Sequence, residues 1–228
     1  MKNDFLNWVD QWFRDLEPLE LEKAGLNPDK TAVISVDMIK GFCSVGPLAS
    51  PLVSAIIPNI VELFEKSHEW GIEKYLLFQD THSKNTPEFG SFPPHCLKGS
   101  EESETIKELK NLSFSEQFNI FEKNSLSPAF NTGFDEWLKK NPEIDNFIIV
   151  GNCTDLCIYS HAMHLSLSAN AFNLKRRVII PENCTATYDM SVETAKNLKA
   201  MPHDAETLHK LFLYIMALNG MEVVKSII

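Results

Sequence analysis

Residues 146–163 read NFIIVGNCTDLCIYSHAM and join a strand pattern to a helix pattern within a few positions. The apolar run 147–150 breaks at Gly151, and helical spacing follows it. Cys157 is therefore expected in the first turn of a helix, just beyond a buried strand. Because a helix N-terminus carries partial positive charge and unpaired N–H groups, we expect the pKa of this thiol to fall from about 8.5 towards neutrality or below. Such a position suits a nucleophile.

Other short apolar runs have the character of buried strands, and segments with helical spacing separate them. The strand-like runs cover residues 31–37, 74–80, 118–123, 147–151 and 177–180. The helical segments cover residues 53–70, 133–139, 155–169 and 204–218. Strands that alternate with helices imply right-handed crossovers. The pattern predicts an α/β fold with three layers, α/β/α, around a mainly parallel central sheet.

The chain has 228 residues and shows no Gly/Ser linker, repeat or low-complexity tract. We therefore predict a single domain over residues 1–228. Residues 1–25 are interpreted as an N-terminal helical extension, because apolar side chains recur there at three- and four-residue spacing. These side chains are Phe5, Trp8, Val9, Trp12, Phe13 and Leu16. We expect the extension to pack on the domain or to contact a second subunit, and the protein to be a homo-oligomer.

The formal net charge of -10 argues against nucleic acid or an anionic membrane as the main partner, since both require clustered Lys and Arg. A small-molecule substrate fits better. The five cysteines form no regular framework of disulfides, and the N-terminus lacks the pattern of a signal peptide, a basic segment followed by an apolar one. We expect a cytoplasmic protein without a membrane span.

Chemically complementary side chains lie where four of the predicted strands end. In an open parallel sheet, ligands bind at the carboxyl ends of the strands. Asp37, Asp80 and Lys123 end three strands, and the loop to Cys157 follows a fourth. A carboxylate can accept the thiol proton, an ammonium group can stabilise a thiolate and a carbonyl oxygen, and a thiolate can attack an acyl carbon. This set is sufficient for amide hydrolysis.

A second set of candidate residues lies in DTHSKNTPEFGSFPPHC, residues 80–96. Asp80 and His82 are two positions apart, so an extended backbone would place them on the same face. Glu88 and His95 follow in a loop rich in Pro and Gly. Two imidazoles with one or two carboxylates make a plausible site for Zn²⁺, Mn²⁺ or Fe²⁺, with positions open to water or substrate.

Four segments together carry a resemblance to a known family. They are AVISVDMIKGFC, QDTHSKNTPEFGSFPPHC, FEKNSLSPAFNTGF and VGNCTDLCIYSHA. From about residue 31 to its end, the chain resembles the isochorismatase-like cysteine hydrolases and, within them, the nicotinamidases. The resemblance implies the isochorismatase-like hydrolase fold, with Asp37 as general base, Lys123 as its cationic partner and Cys157 as nucleophile. It also implies a divalent metal ion, most simply Zn²⁺, that receives the pyridine nitrogen of the substrate. The implied ligands are Asp80, His82, His95 and, as the fourth, Glu88.

The resemblance further implies a cis peptide bond between Asn152 and Cys153. The backbone N–H groups of Cys153 and Cys157 would then form an oxyanion hole. Phe42 and Phe92 stand where relatives usually have the aromatic wall that contacts the substrate ring.

The activity implied by the resemblance is the conversion of nicotinamide and water to nicotinate and ammonia through a cysteine thioester, a step of NAD salvage. Two departures bear on substrate preference. Ile39 replaces an amide-bearing side chain of many relatives, and Leu126 replaces a Tyr of some nicotinamidases.

Three alternatives remain open from the sequence. The first is hydrolysis of another small amide, of the carbamoyl or maleamate type, or of isochorismate; such relatives generally do not need the Asp-x-His metal site. The second is a non-catalytic protein that keeps the fold. The third takes Cys153 and Cys157 as a redox or metal pair, although their spacing lacks the two-residue gap of most such motifs.

Overall fold

A parallel β-sheet forms the centre of the computed structural model, which describes residues 2–228 and the side chains from residue 4 onward. The order of the strands is β3-β2-β1-β4-β5-β7, and β6 pairs with the carboxyl end of β4. The strands are β1 Thr31–Val36, β2 Lys74–Asp80, β3 Phe118–Lys123, β4 Asn146–Asn152, β5 Arg177–Pro181, β6 Thr185–Ala186 and β7 Glu222–Val224. The five predicted strands are all present, and the predicted α/β class with a parallel sheet is confirmed.

Helices cover both faces of this sheet, and a separate apolar core lies under each layer. The helices are α1 Lys2–Arg14, α2 Lys40–Cys43, α3 Pro51–Ala55, α4 Ile57–Trp70, α5 Lys107–Lys110, α6 Phe134–Lys140, α7 Tyr159–Phe172, α8 Val192–Leu198 and α9 Ala205–Leu218. The strands β1, β2 and β4 bury nearly every side chain because they alternate between the two cores. Over residues 2–228, no helix combines the length and the apolar character that crossing a membrane requires.

Strand register aligns the carboxyl ends of four neighbouring strands, β3, β2, β1 and β4. The expectation that residues 118–123 form a buried strand is wrong in one respect, because β3 lies at the edge of the sheet and most of its side chains are exposed or half-buried. Val36 of β1 lies beside Phe78 of β2 and beside Gly151 of β4, and Asp80 of β2 lies beside Lys123 of β3. Because the strands are parallel, the residues that follow these positions meet at a single edge of the sheet. A binding or catalytic site is therefore expected at this edge.

The N-terminal helix is shorter than predicted. It ends at Arg14, and residues 15–25 are largely irregular, with Leu19 bridged to Ile227. Pro18 explains the difference, since a proline disfavours helical backbone in the residue before it. The helix itself packs against α9, where Val9 is buried and Trp12 contacts the ring of Tyr214 edge-on.

Candidate active site

Asp37 stands immediately after β1 and is fully buried. Its backbone adopts a left-handed conformation, φ 53°, and its N–H donates to the carbonyl of Phe78 at 2.8 Å. The side chain is held in turn by β2, because the N–H of Asp80 donates to Oδ1 of Asp37 at 2.8 Å. Two strands thus fix the carboxylate at the edge of the sheet.

Gly151 allows β4 to approach the end of β1. Its φ is 118°, and a Cβ at this position would lie 2.0 Å from the carbonyl oxygen of Val36, so no other residue fits without moving backbone. The next residue, Asn152, donates from Nδ2 to the carbonyl of Asp37 at 2.7 Å. The predicted cis peptide between Asn152 and Cys153 is confirmed. The hydrogen bond of Asn152 holds the segment that carries the nucleophile against Asp37.

Cys157 lies in a single π-helical turn, Thr154–Ile158, that leads directly into α7. Lys123 places its Nζ 3.4 Å from the Sγ of this cysteine and 2.8 Å from Oδ2 of Asp37. The same ammonium group also donates to Oδ1 of Asp80. The structure therefore brings the predicted base, cation and nucleophile into one buried cluster.

The charges of this cluster depend on each other. Burial and the charge of Asp80 raise the pKa of Asp37 to about 6, although Lys123 acts in the opposite direction. Burial acts to lower the pKa of Lys123, but the carboxylates of Asp37 and Asp80 outweigh it and raise that pKa well above its ordinary value. Lys123 is thus a permanent cation, and Asp37 can exchange a proton near neutral pH.

The expected lowering of the Cys157 pKa is wrong. Burial raises the pKa of this thiol well above its ordinary value, and the charge of Lys123 offsets only part of the rise. The side chain is almost completely enclosed, so loss of hydration outweighs the partial charge of the helix end. The resting group is a thiol, and its activation requires a base.

The four predicted metal ligands also lie together, beside the catalytic cluster. Asp80, His82, Glu88 and His95 each offer one ligand atom, and these atoms lie within 4.8 Å of one another. Nε2 of His82 is 3.5 Å from Oδ2 of Asp80 and 3.7 Å from Oε1 of Glu88, and Nε2 of His95 is 3.7 Å from Oδ2 of Asp80. Ligand atoms about 2.1 Å from a tetrahedral zinc ion stand roughly 3.4 Å apart, so the spacing fits.

Hydrogen bonds on the far side of each ring orient the two histidines for metal binding. Nδ1 of His95 lies 2.8 Å from the carbonyl oxygen of Pro93, which can only accept, so this nitrogen donates and Nε2 keeps its lone pair. Nδ1 of His82 faces Oδ1 of Asn124 at 3.3 Å. Among the described residues, the buried Nε2 of His82 has no hydrogen-bond partner. An unpaired buried acceptor that points into a cluster of carboxylates suits a bound cation.

A cavity of about 460 Å³, counting the space that opens to solvent, connects the two clusters. It exposes Asp37, Cys153 and Cys157 at one side, and Asp80, Glu88 and His95 at another. Its apolar walls include Phe42, Phe92, Leu126, Leu156 and Tyr188. Phe42 and Phe92, the two predicted wall residues, thus both line the cavity, and so does Leu126. Ile39 lies in the core, bridged to Thr105.

Sequence reasoning missed several residues of this site. Asn124 was given no role, although its position directly after Lys123 was a usable signal. Tyr188 and His203 lie in a segment without motif or periodicity, so the sequence carries no signal for them. The structure stacks His203 on Tyr188 at the wall of the cavity.

Comparisons with known proteins identify the family of this chain. Residues 31–209 match the model of the isochorismatase domain. Nicotinamidase 1 of Arabidopsis thaliana is 30% identical over an alignment 234 residues long. The alignment covers 96% of this chain and 95% of that protein. A cysteine hydrolase from Pseudomonas syringae has a similar fold, with a TM-score of 0.73 and 21% identity over 87% of this chain and 90% of its own.

A pyrazinamidase of Pyrococcus horikoshii, solved in complex with zinc, also shares the fold. Its TM-score is 0.65 and its identity 21%, over 86% of this chain and 99% of that one. The domain match covers well over half of the present chain. The chain therefore belongs to the isochorismatase family of hydrolases and is similar, within it, to the nicotinamidases.

Proposed function

We propose that this protein is a nicotinamidase, which converts nicotinamide and water to nicotinate and ammonia through a thioester on Cys157. The observation that carries the proposal is the shared cavity. A nucleophile cluster built for acyl transfer and a metal-ligand group lie on the same small apolar pocket. A compact aromatic amide with a ring nitrogen presents its amide carbon to the nucleophile cluster and its ring nitrogen to the metal-ligand group. The similarity to a plant nicotinamidase along nearly the whole chain supports the same substrate.

The first half of the reaction forms the thioester. Cys157 attacks the carboxamide carbon while Asp37, whose carboxylate lies within 4.8 Å of the sulfur, accepts the thiol proton. Lys123 keeps its charge throughout and stabilises the thiolate that develops 3.4 Å away. The backbone N–H groups of Cys153 and Cys157 are proposed to bind the oxyanion, at about 3 kcal/mol of transition-state stabilisation per donor. The amide nitrogen of the tetrahedral intermediate takes the proton from Asp37, the C–N bond breaks, and ammonia leaves.

The second half regenerates the enzyme. Asp37, now ionised, accepts a proton from a water molecule as the water attacks the thioester carbon. The C–S bond breaks, nicotinate leaves, and the sulfur recovers a proton from Asp37. A base with a pKa of about 6 can serve as acceptor and donor in both halves near neutral pH.

The residues Asp80, His82, Glu88 and His95 would hold a divalent ion at the other side of the cavity. Such an ion supplies an electron-pair acceptor for a ring nitrogen, which would orient the ring relative to Cys157. Phe42 and Phe92 would contact the faces or edges of the ring. Zinc is the simplest choice for two imidazoles and carboxylates, and manganese or iron fits the same donors.

Release of ammonia by the purified, metal-loaded protein tests the proposal. Nicotinamide is compared with pyrazinamide, an N-carbamoyl amide and maleamate, and hydrolysis of isochorismate is followed separately. We expect the highest kcat/KM with nicotinamide, and no release by Cys157→Ala prepared in the same way. Hydrolysis of a carbamoyl or maleamate substrate without hydrolysis of nicotinamide would assign the protein to another activity of the same family.

A further inference from the structure

Between β6 and α9 the chain leaves the sheet edge in an excursion, residues 187–204, that carries α8. Its base is closed by two backbone hydrogen bonds between Met190 and His203, of 2.7 and 2.9 Å. Tyr188 lies at this base and lines the active-site cavity. Its ring stacks on the imidazole of His203, with centroids 3.9 Å apart and planes inclined by 18°. The excursion thus contributes one wall of the cavity.

His203 is held between two oxygen acceptors. Its Nδ1 is 2.8 Å from the carbonyl oxygen of Tyr188, and its Nε2 is 2.7 Å from Oδ2 of Asp155. Contacts at both ring nitrogens leave the imidazole a single orientation. The histidine therefore fixes the orientation of the tyrosine ring.

Asp155 completes the connection to the nucleophile. Its Oδ1 accepts from Oγ1 of Thr187 at 2.6 Å, so each carboxylate oxygen has a partner. Asp155 belongs to the same π-helical turn as Cys157, two residues away. The hydrogen-bonded pair is almost fully buried, with side-chain exposures of 10% for His203 and 5% for Asp155. A buried polar pair whose hydrogen bonds are all made is rigid and specifies one geometry.

We propose that Tyr188 is a specificity-determining residue whose ring packs against the ring of the bound amide, with His203 and Asp155 as positioning residues that hold it in register with Cys157. The proposal rests on the proposed function in one respect, which is that the substrate carries an aromatic ring. It extends the site beyond the triad, the metal ligands and the wall residues Phe42 and Phe92.

Steady-state kinetics with nicotinamide gives the first test. Loss of a stacked aromatic contact in Tyr188→Leu is expected to raise KM about 3- to 10-fold and to change kcat less than about 3-fold. Tyr188→Phe keeps the ring and should restore KM to within about 2-fold of the wild type. Tyr159→Leu, which removes a ring packed against Phe212 outside the cavity, is the matched control and should leave KM unchanged. An unchanged KM in a folded Tyr188→Leu variant would overturn the assignment.

A double-mutant cycle separates positioning from a general structural role. His203→Gln alone should raise KM about 3- to 10-fold, but in the Tyr188→Leu background it should add less than about 2-fold, because its effect passes through the tyrosine. His164→Gln, which breaks the 2.8 Å pair of His164 with Asp135 away from the cavity, should have no effect on KM in either background. Fully additive effects of His203→Gln and Tyr188→Leu would exclude positioning.

A readout that does not need nicotinamide turnover keeps this inference distinct from the proposed function. Benzamide should protect Cys157 from alkylation by iodoacetamide, followed by mass spectrometry of the peptide that contains it. Its apparent Kd should rise about 3- to 10-fold in Tyr188→Leu. A protein that does not hydrolyse nicotinamide yet shows this rise would refute the proposed substrate and support the role of Tyr188. Absence of protection in the wild type, or equal protection in both proteins, would overturn the role.

NMR of the histidine rings tests the pair without any substitution, so the result does not depend on whether the variants fold. In the unmodified protein, the Nδ1 proton of His203 should exchange slowly with water, because it donates to the carbonyl of Tyr188. Rapid exchange of that proton would contradict the positioning pair.

Discussion

Asp80 and Lys123 lie opposite each other in the register of β2 and β3, and their side chains form a hydrogen-bonded ion pair at the carboxyl edge of the sheet. The pair uses Oδ1 of the carboxylate. The other oxygen, Oδ2, faces Nε2 of His82 and of His95. One carboxylate therefore belongs to both the catalytic cluster and the metal-ligand group. A change of charge in the catalytic cluster or in the metal-ligand group is therefore expected to alter the electrostatics of the other through Asp80.

Cysteine substitutions should separate the two thiols of the cavity. Cys157→Ala is expected to abolish ammonia release, because no other group can form the acyl intermediate in this position. Cys153→Ala should retain most activity, since the Nζ of Lys123 lies beside the sulfur of Cys157 and only the backbone N–H of Cys153 has a proposed role. Activity assays on both variants, with circular dichroism as the control for folding, provide the measurement. Comparable loss in two folded variants would refute the choice of nucleophile.

Lys123→Met should destabilise the protein by about 3–5 kcal/mol. The change leaves the buried carboxylates of Asp37 and Asp80 without their shared cation, and an uncompensated buried charge is costly. The free energy of unfolding from urea titration gives the size of the effect. The double variant Lys123→Met/Asp37→Asn removes one of the two charges and should recover part of the loss. If it recovers none, charge compensation is not the reason for the destabilisation.

The pKa of Asp37 predicts an acid limb in the pH profile of Cys157 alkylation, which means that the reaction slows at low pH. Its raised value, about 6, means that the carboxylate is protonated below that pH and cannot accept the thiol proton. In metal-free protein, alkylation of Cys157 should therefore accelerate as pH rises through about 6. A divalent ion bound beside Asp80 opposes the charge that helps to raise this pKa, so loading should move the limb to lower pH. Asp37→Asn should lack the limb, and a limb that persists there would refute the role of Asp37.

Asn124→Leu should weaken metal binding about 10- to 100-fold while it leaves the ligands in place. Its Oδ1 faces Nδ1 of His82, and such outer contacts orient a ligating imidazole. Affinity is measured by competition with a chromogenic chelator. Asn119→Leu, in the strand that ends just before Asn124, is the matched control, because its side chain donates to backbone carbonyls. Equal affinities of the two variants would show that Asn124 does not support the site.

Removal of the metal by a chelator should weaken substrate binding more than it slows alkylation of Cys157. The proposed ion orients the ring, whereas Asp37, Lys123 and Cys157 carry the covalent steps. Elemental analysis of the loaded protein should show about one equivalent of Zn, Mn or Fe per chain. A metal-free protein with full nicotinamidase activity would refute this role.

Local sequence was sufficient for five of the seven strands described and for the residue types at their carboxyl ends. The apolar run 118–123 predicted a strand correctly but not its exposure, because only the tertiary structure puts β3 at the edge of the sheet. The two remaining strands, β6 and β7, are two and three residues long, which is too short for a periodic signal. The predicted N-terminal helix is too long because the prediction rested on apolar spacing alone and took no account of Pro18.

The sequence by itself determined the fold class, the family and the residue types at each strand end, because these depend on the order of local patterns along the chain. Only the tertiary structure decided how those residues act on one another. The thiol of Cys157 has a raised pKa because burial outweighs the helix end, and no local pattern reports burial. His203 contacts Asp155 across 48 residues of sequence, and Tyr188 is positioned by its stacking on His203. Electrostatics and side-chain positioning depend on distances in space, which only the packed sheet and helices set.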